Sequence, residues 1–198
     1  MDLIYDCHTI KKYINNKKYV FKSCQIYWIV VLKILNDTRT TQKRDGVYNN
    51  KYAKFRGDKF EVVHIFNKLD PSITIQSVVN SMYVTKQLEY CVGQIVDVSK
   101  VKYHVFPFQT LYDKFDENIN IVCSSGIHFY ENIEPAYYCE LNEIICDGRV
   151  KFWYGGGALR CCGDYKNGKH DGNWIYYAED GSIESKVYYK NDYSYFKI

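Results

Sequence analysis

Residues 148–192 read GRVKFWYGGGALRCCGDYKNGKHDGNWIYYAEDGSIESKVYYKND, and a shift of 24 lays the second half of this stretch on the first. Gly148 falls on Gly172, Gly157 on Gly181, Leu159 on Ile183, and Tyr165-Lys166-Asn167 on Tyr189-Lys190-Asn191. Each copy reads as strand, tight turn, strand. Val150 to Tyr154 and Trp174 to Ala178 are β-branched and aromatic runs, which suit a pleated surface. Gly155-Gly156-Gly157 and Glu179-Asp180-Gly181 supply the positive-φ position of a hairpin turn. Asn167-Gly168 and Asp171-Gly172 then lead the chain into the next hairpin. One hairpin cannot bury its apolar face, so such units lie side by side. Two copies are few for an independent solenoid, and the pair is expected to continue the sheet of the preceding domain or pack on it.

Strand signals continue upstream. Candidates are Gln25 to Leu35, Tyr52 to Phe55, Phe60 to Phe66, Ser81 to Lys86, Tyr90 to Val98, Val101 to Phe106, Ile121 to Phe129 and Glu143 to Cys146. Asp70-Pro71 marks a turn, and Arg56-Gly57-Asp58 reads as a turn with a local Arg–Asp ion pair. One short helix is predicted over Ile133 to Cys139, with Glu134 and Pro135 in its first turn. The expected fold is mainly β, an α+β chain with minor helix. Residues 1–147 form a β-rich N-terminal domain, and residues 148–198 form two stacked hairpin repeats.

Composition agrees with this class. Aromatic residues make up 17% of the 198, with 21 tyrosines, and only three prolines argue against disorder. Charge is uneven: residues 1–68 hold 14 Lys/Arg against 6 Asp/Glu, and the remainder hold 12 against 17. The opening MDLIYDCHTIKK lacks the apolar core of a secretory signal. The most apolar run, Cys24 to Leu35, is 12 residues long with Lys33 inside it, well short of the roughly 20 needed to cross a bilayer. A soluble, intracellular protein without a transmembrane segment is expected. Its eight cysteines, at 7, 24, 91, 123, 139, 146, 161 and 162, are then reduced thiols. No C-x-x-C pair is present, and neither zinc nor any other cofactor is expected.

Two blocks of residues resemble a known family. Tyr165-Lys166-Asn167-Gly168-Lys169-His170-Asp171-Gly172-Asn173-Trp174, with Tyr176-Tyr177, is similar to the MORN-repeat variant of bacterial antitoxin-like and giant-virus proteins. Upstream, five segments follow in order: Lys54 to Asp58, Val62 to Ile65, Tyr90 to Gln94, Lys114 to Asp116, and Cys123-Ser124-Ser125-Gly126-Ile127-His128-Phe129. That order resembles an uncharacterised domain that accompanies MORN or pentapeptide repeats in large DNA viruses of amoebae. Together the blocks span roughly residues 25–192. The resemblance implies a viral protein, in host cytoplasm or virion, and for MORN repeats in general it implies protein or lipid contacts. Arrays that bind membranes usually have many copies, and this chain has two. No catalytic residue comes with the resemblance.

Three functional readings compete. In the first, the chain is a non-catalytic binding or scaffold protein whose repeat aromatics, Trp153, Tyr177, Tyr188 and Tyr189, contact a protein partner. In the second, it is an enzyme or small-molecule binder with a site at Cys123 and His128, bordered by Arg56, where a Cys–His pair would generate a thiolate. The bland alternative for that pair is structural: Cys123 in the core, Gly126 at a bulge, His128 hydrogen-bonded to backbone. In the third, Lys11, Lys12, Lys17, Lys18 and Lys22 share one face with Arg39, Lys43 and Arg44 and meet nucleic acid or an anionic membrane. Within the repeats, period-2 alternation predicts that Val150, Phe152, Trp174 and Tyr176 face the core, while Trp153 and Tyr177 face away.

Overall fold

A computed structural model describes the chain except residues 15, 84–85, 101, 106–108, 142–146 and 198. The protein is mainly β, with antiparallel sheets and three short helices among the described residues. The predicted strand at Glu143 to Cys146 lies outside the described residues.

Six strands build the larger sheet: β1 (Tyr19–Cys24), β2 (Trp28–Lys33), β3 (Lys54–Gly57), β4 (Lys59–Asn67), β7 (Ile95–Asp97) and β10 (Ile127–Tyr130), in the order β3-β10-β1-β2-β4-β7. Asp58 alone separates β3 from β4, yet four strand spacings lie between them in the sheet. In a flat sheet those spacings would amount to about 19 Å, and a one-residue link reaches only about 7 Å. The sheet therefore curls until its two sides meet at Asp58. The meeting point is pinned: Asp58 accepts from the Arg39 backbone N–H at 2.9 Å and from Arg39 Nε at 2.8 Å, and its own carbonyl accepts from Val98 N at 2.9 Å. Gly57 has no side chain because Phe60 occupies that space; a Cβ there would lie 2.4 Å from the ring.

Inside the curl, Val20, Val30, Leu32, Phe55, Phe60, Val62, Ile127 and Phe129 form one core with Ala53, Val78 and Tyr90. β4 contributes to both faces because its register against β2 slips between Val31 and Leu32, leaving Val63 as an extra residue. Phe60 and Val62 therefore point inward with Ile65, while Phe66 joins the outer face. Two hairpins, β5 (Ser77–Tyr83) with β6 (Lys86–Cys91) and β8 (Lys102–Val105) with β9 (Gln109–Tyr112), extend from this body.

The repeats form a five-stranded antiparallel meander: β11 (Gly148–Trp153), β12 (Leu159–Lys166), β13 (Lys169–Tyr177), β14 (Ile183–Lys190) and β15 (Tyr193–Lys197). The two predicted hairpins are β11–β12 and β13–β14, hydrogen-bonded edge to edge, and β15 follows a two-residue turn at Asn191-Asp192, both at positive φ. Both copies carry a register shift at the same place, Phe152/Trp153 and Tyr176/Tyr177, one repeat apart. The extra residue lies on the returning strand, Arg160 in β12 and Glu184 in β14, so β11 and β13 keep their alternation through Trp153 and Tyr177. Val150 and Trp174 are fully buried, as expected, and Phe152 and Tyr176 pack half-buried beside them; Trp153 is half-buried as well and reaches the cluster at Tyr138.

That cluster joins the two parts of the chain. Phe21, Ile29, Val31 and Phe66 come from the outside of the curl, and Ile4, Ile10 and Tyr13 from the N-terminal region, which includes α1 (Asp2–Asp6) and α2 (His8–Lys11). Ile133, Ala136 and Tyr137 come from α3 (Ile133–Tyr138), and Val150, Cys161 and Trp174 from the meander. The helix predicted at residue 133 is thus present, capped by Asn132, whose side chain accepts from Glu134 N at 2.8 Å. The helices α1 and α2 have no counterpart in the sequence reading.

Several expectations are corrected. The strand predicted over Gln25 to Leu35 is β2, but it is shorter, because Gln25 and Ile26 (φ 45° and 49°) form the turn from β1, a strand the sequence reading did not list. Residues 121–126 are loop, and only 127–130 form strand. Arg56 makes no ion pair with Asp58, whose carboxylate is held by Arg39. The basic face is dispersed, since Lys22 and Arg44 are buried, and Arg39 is paired with Asp58 and Glu117. No described helix is long and apolar enough to cross a membrane.

Candidate functional site

The two repeat turns share one geometry. Tyr154 N donates to Ala158 O and Gly157 N to Tyr154 O; one repeat later Ala178 N donates to Ser182 O and Gly181 N to Ala178 O, all at 2.9–3.0 Å. Gly157 and Gly181 supply the positive φ, 88° and 86°. Their surroundings differ. The first turn is docked under residues 44–54: Gly156 O accepts from Tyr48 N and Asn49 N at 2.9 and 3.1 Å, and Gly155 O from Lys54 N at 3.0 Å and Arg44 Nη2 at 2.5 Å. A Cβ at Gly156 would meet Gly46 O at 2.5 Å, and one at Gly157 would meet Asn49 O at 2.1 Å. The glycine triplet is therefore a docking turn. The second turn, Glu179-Asp180-Gly181, is exposed, and beyond its own backbone bonds Asp180 accepts from Ser182 N and Oγ at 2.9 and 2.6 Å. Those bonds hold the Asp180 carboxyl below its ordinary pKa.

Between the two turns and the 45–54 segment lies a groove of about 570 Å³. Trp153 and Tyr177 line it, one from each copy and 24 positions apart, together with Tyr48 and Tyr52. Equivalent positions of the repeat bring both side chains to the same groove. Tyr52 stacks on Trp153 at 5.2 Å between centroids and 17° between planes, and Lys51 Nζ sits 5.2 Å above the Tyr52 ring. Tyr138 approaches Trp153 at 6.0 Å. Tyr154 Oη donates to Tyr177 O at 2.8 Å, tying the copies together at the rim. Lys151 and Glu134 pair at 2.7 Å on one side; Glu179 and Asp180 stand exposed on the other.

Of the four aromatics singled out in the sequence, the structure thus brings two together. Tyr188 lies on the exposed face against Tyr195, at 6.4 Å. Tyr189 belongs to an internal stack: His170 lies 5.1 Å from it and 4.3 Å from Trp174, and its hydroxyl meets that of Tyr176 at 3.3 Å. Sequence reasoning missed Tyr48 and Tyr52, which sit outside the repeats. The signal that could have found them was the unusual Gly155-Gly156 pair, which demands a close neighbour that the second copy lacks.

Cys123, His128 and Arg56 share a neighbourhood without forming a catalytic pair. Arg56 is fully buried, and its guanidinium donates to four backbone carbonyls of one loop: Ile121 at 2.9 Å, Asp116 at 3.1 Å, Ser125 at 2.8 Å and Asn118 at 2.7 Å. These bonds gather residues 116–125 around the guanidinium as a loop. Cys123 is exposed, contrary to the expectation of a core thiol, and its sulfur accepts from Lys54 Nζ at 3.8 Å. His128 Nε2 meets Val122 O at 3.2 Å. Burial, with Lys54, Lys22 and Arg56 nearby, lowers the His128 pKa to about 3. The neutral ring therefore carries its proton on Nε2 and spends it on that carbonyl. The seven described cysteines are free thiols, with Cys146 outside the described residues, and no group of three potential ligands is gathered for a metal among the described residues.

No family model matches the chain, and neither a curated protein nor a solved structure does so.

Proposed function

We propose that the protein is a non-catalytic binding or scaffold protein of the MORN-repeat type, intracellular and of viral origin as its resemblance implies, and that it holds a protein partner in the groove between its two repeat turns. One observation carries this reading: equivalent positions of the two copies, Trp153 and Tyr177, deliver aromatic rings to one groove that Tyr48 and Tyr52 complete. Aromatic side chains at a concave site give large contact area for little ordering cost. Against an enzymatic role speaks the environment of His128: a ring committed to Val122 O and held neutral is poorly placed to activate Cys123.

The test is capture with cross-linking in transfected cells by full-length protein, its Tyr177→Ala and Tyr48→Ala variants, and a Tyr188→Ala control. A partner retained by wild type and control but lost from both groove variants supports the reading. A partner lost only from the control removes the groove from consideration.

A further inference from the structure

We infer that the groove receives an arginine side chain of the partner, an inference that rests on the groove being the binding site. The first argument is charge. Among the described residues lining the groove, Glu134, Glu179 and Asp180 stand against the ammonium of Lys151, which is already paired with Glu134, while Lys51 sits over Tyr52 outside that lining. The two carboxylates of the free turn remain, with no hydrogen bond from a described residue reaching Glu179 or the second oxygen of Asp180. An incoming cation would find them unneutralised.

The second argument is the wall. Rings of Tyr48, Trp153 and Tyr177 offer π-faces and edges beside those carboxylates, an arrangement that attracts a cation doubly. The neighbourhood already holds one such contact, Lys51 over Tyr52. A guanidinium fits the combination better than an ammonium because it is planar, stacks on an aromatic face and still presents donors in its plane to a carboxylate. The third argument concerns the partner's backbone. The carbonyls of Gly155 and Gly156, just before the groove-lining Gly157, are taken by Arg44, Tyr48, Asn49 and Lys54, so the docked turn offers no open peptide edge there for strand addition. Recognition falls to the side chain.

Full-length protein is titrated by calorimetry with three eight-residue glycine–serine peptides that differ only in a central pair: two arginines, two lysines or two glutamates. The arginine peptide is expected to bind most tightly and the glutamate peptide not at all, with affinity falling as salt is raised. Combining E179Q with D180N, which keeps the Asp180 side-chain acceptor for Ser182, should weaken the arginine peptide roughly tenfold, as should Tyr177→Ala, in line with exposed ion pairs and cation–π contacts. Thermal melts of the variants establish that they are folded. Equal binding of arginine and glutamate peptides, preference for lysine, or no binding of any peptide while groove-dependent capture persists overturns the arginine inference and leaves the groove standing. Peptide binding indifferent to Tyr177→Ala overturns both.

Discussion

Gly163 is held to glycine by a neighbour and not by its backbone. A Cβ there would lie 2.2 Å from the indole of Trp174, whose Nε1 donates to Asp164 O at 3.1 Å and cannot retreat without losing that bond. Gly163→Ala is expected to cost about 1–3 kcal/mol by overpacking. Gly168→Ala, where φ is 74° and nothing lies within 4 Å, should cost about 1–2 kcal/mol from backbone strain alone. Trp174→Ala, at 1% exposure, should cost about 3–5 kcal/mol. Urea unfolding ranks the three. His128 gives a pH signature. Its folded pKa, about 3, lies below the ordinary value near 6.5. The stability it contributes is therefore complete above about pH 6.5 and is lost progressively as the pH falls from there toward about 3. His64, also lowered chiefly by burial, acts in the same sense. Between about pH 7 and pH 5 the wild type should lose more stability than His128→Gln, which keeps an N–H for Val122; equal slopes would contradict the assignment. At this scale the sequence is legible where a residue type announces its task, as at Gly157, Gly181 and Trp174. It is silent at Gln25 and Ile26, where the tight turn between β1 and β2 puts positive φ on residues that ordinarily avoid it.

Elements differ in how much of their form is their own. The hairpins were readable because turn chemistry and β-rich runs recur every 24 residues, so each copy checks the other. The common bulge was not, because the extra residues, Arg160 and Glu184, leave no mark in composition. Nor was the loop at 116–125, whose path is set by a guanidinium some sixty residues earlier in the chain. The contrast between docked and free turns supports an exchange experiment. Replacing Gly155-Gly156 by the Glu-Asp of the second copy should cost about 2–3 kcal/mol, because side chains would displace the 44–54 segment and strand its hydrogen bonds. The reciprocal change, Glu179→Gly with Asp180→Gly, should stay within about 1 kcal/mol on an exposed turn. Denaturant midpoints decide; similar costs would show that the first turn is not specifically docked.

For the molecule as a whole, a single buried cluster draws on the curled sheet, the helices and the meander. Neither side can be removed without exposing the apolar surface of the other, and unfolding is expected to be one transition. Tryptophan fluorescence, from Trp28 in the curled sheet and from Trp153 and Trp174 at the meander, should follow the same urea curve as far-UV circular dichroism. Separated curves would assign the two parts independent stability. The mainly β class was legible from the strand signals; the curl was not, since it depends on which strands pair across long stretches of sequence.

The tie at Asp58 has a consequence for descent. Surface connections tolerate added residues at small entropic cost, so insertions and deletions in related chains should accumulate in segments such as 68–76. Between residues 54 and 67 a single added or lost codon would shift β3 against β4 at the place where the sheet closes. Each side chain beyond it would exchange inner for outer face. Lineages of this protein are therefore expected to vary there in residue identity and hardly at all in length.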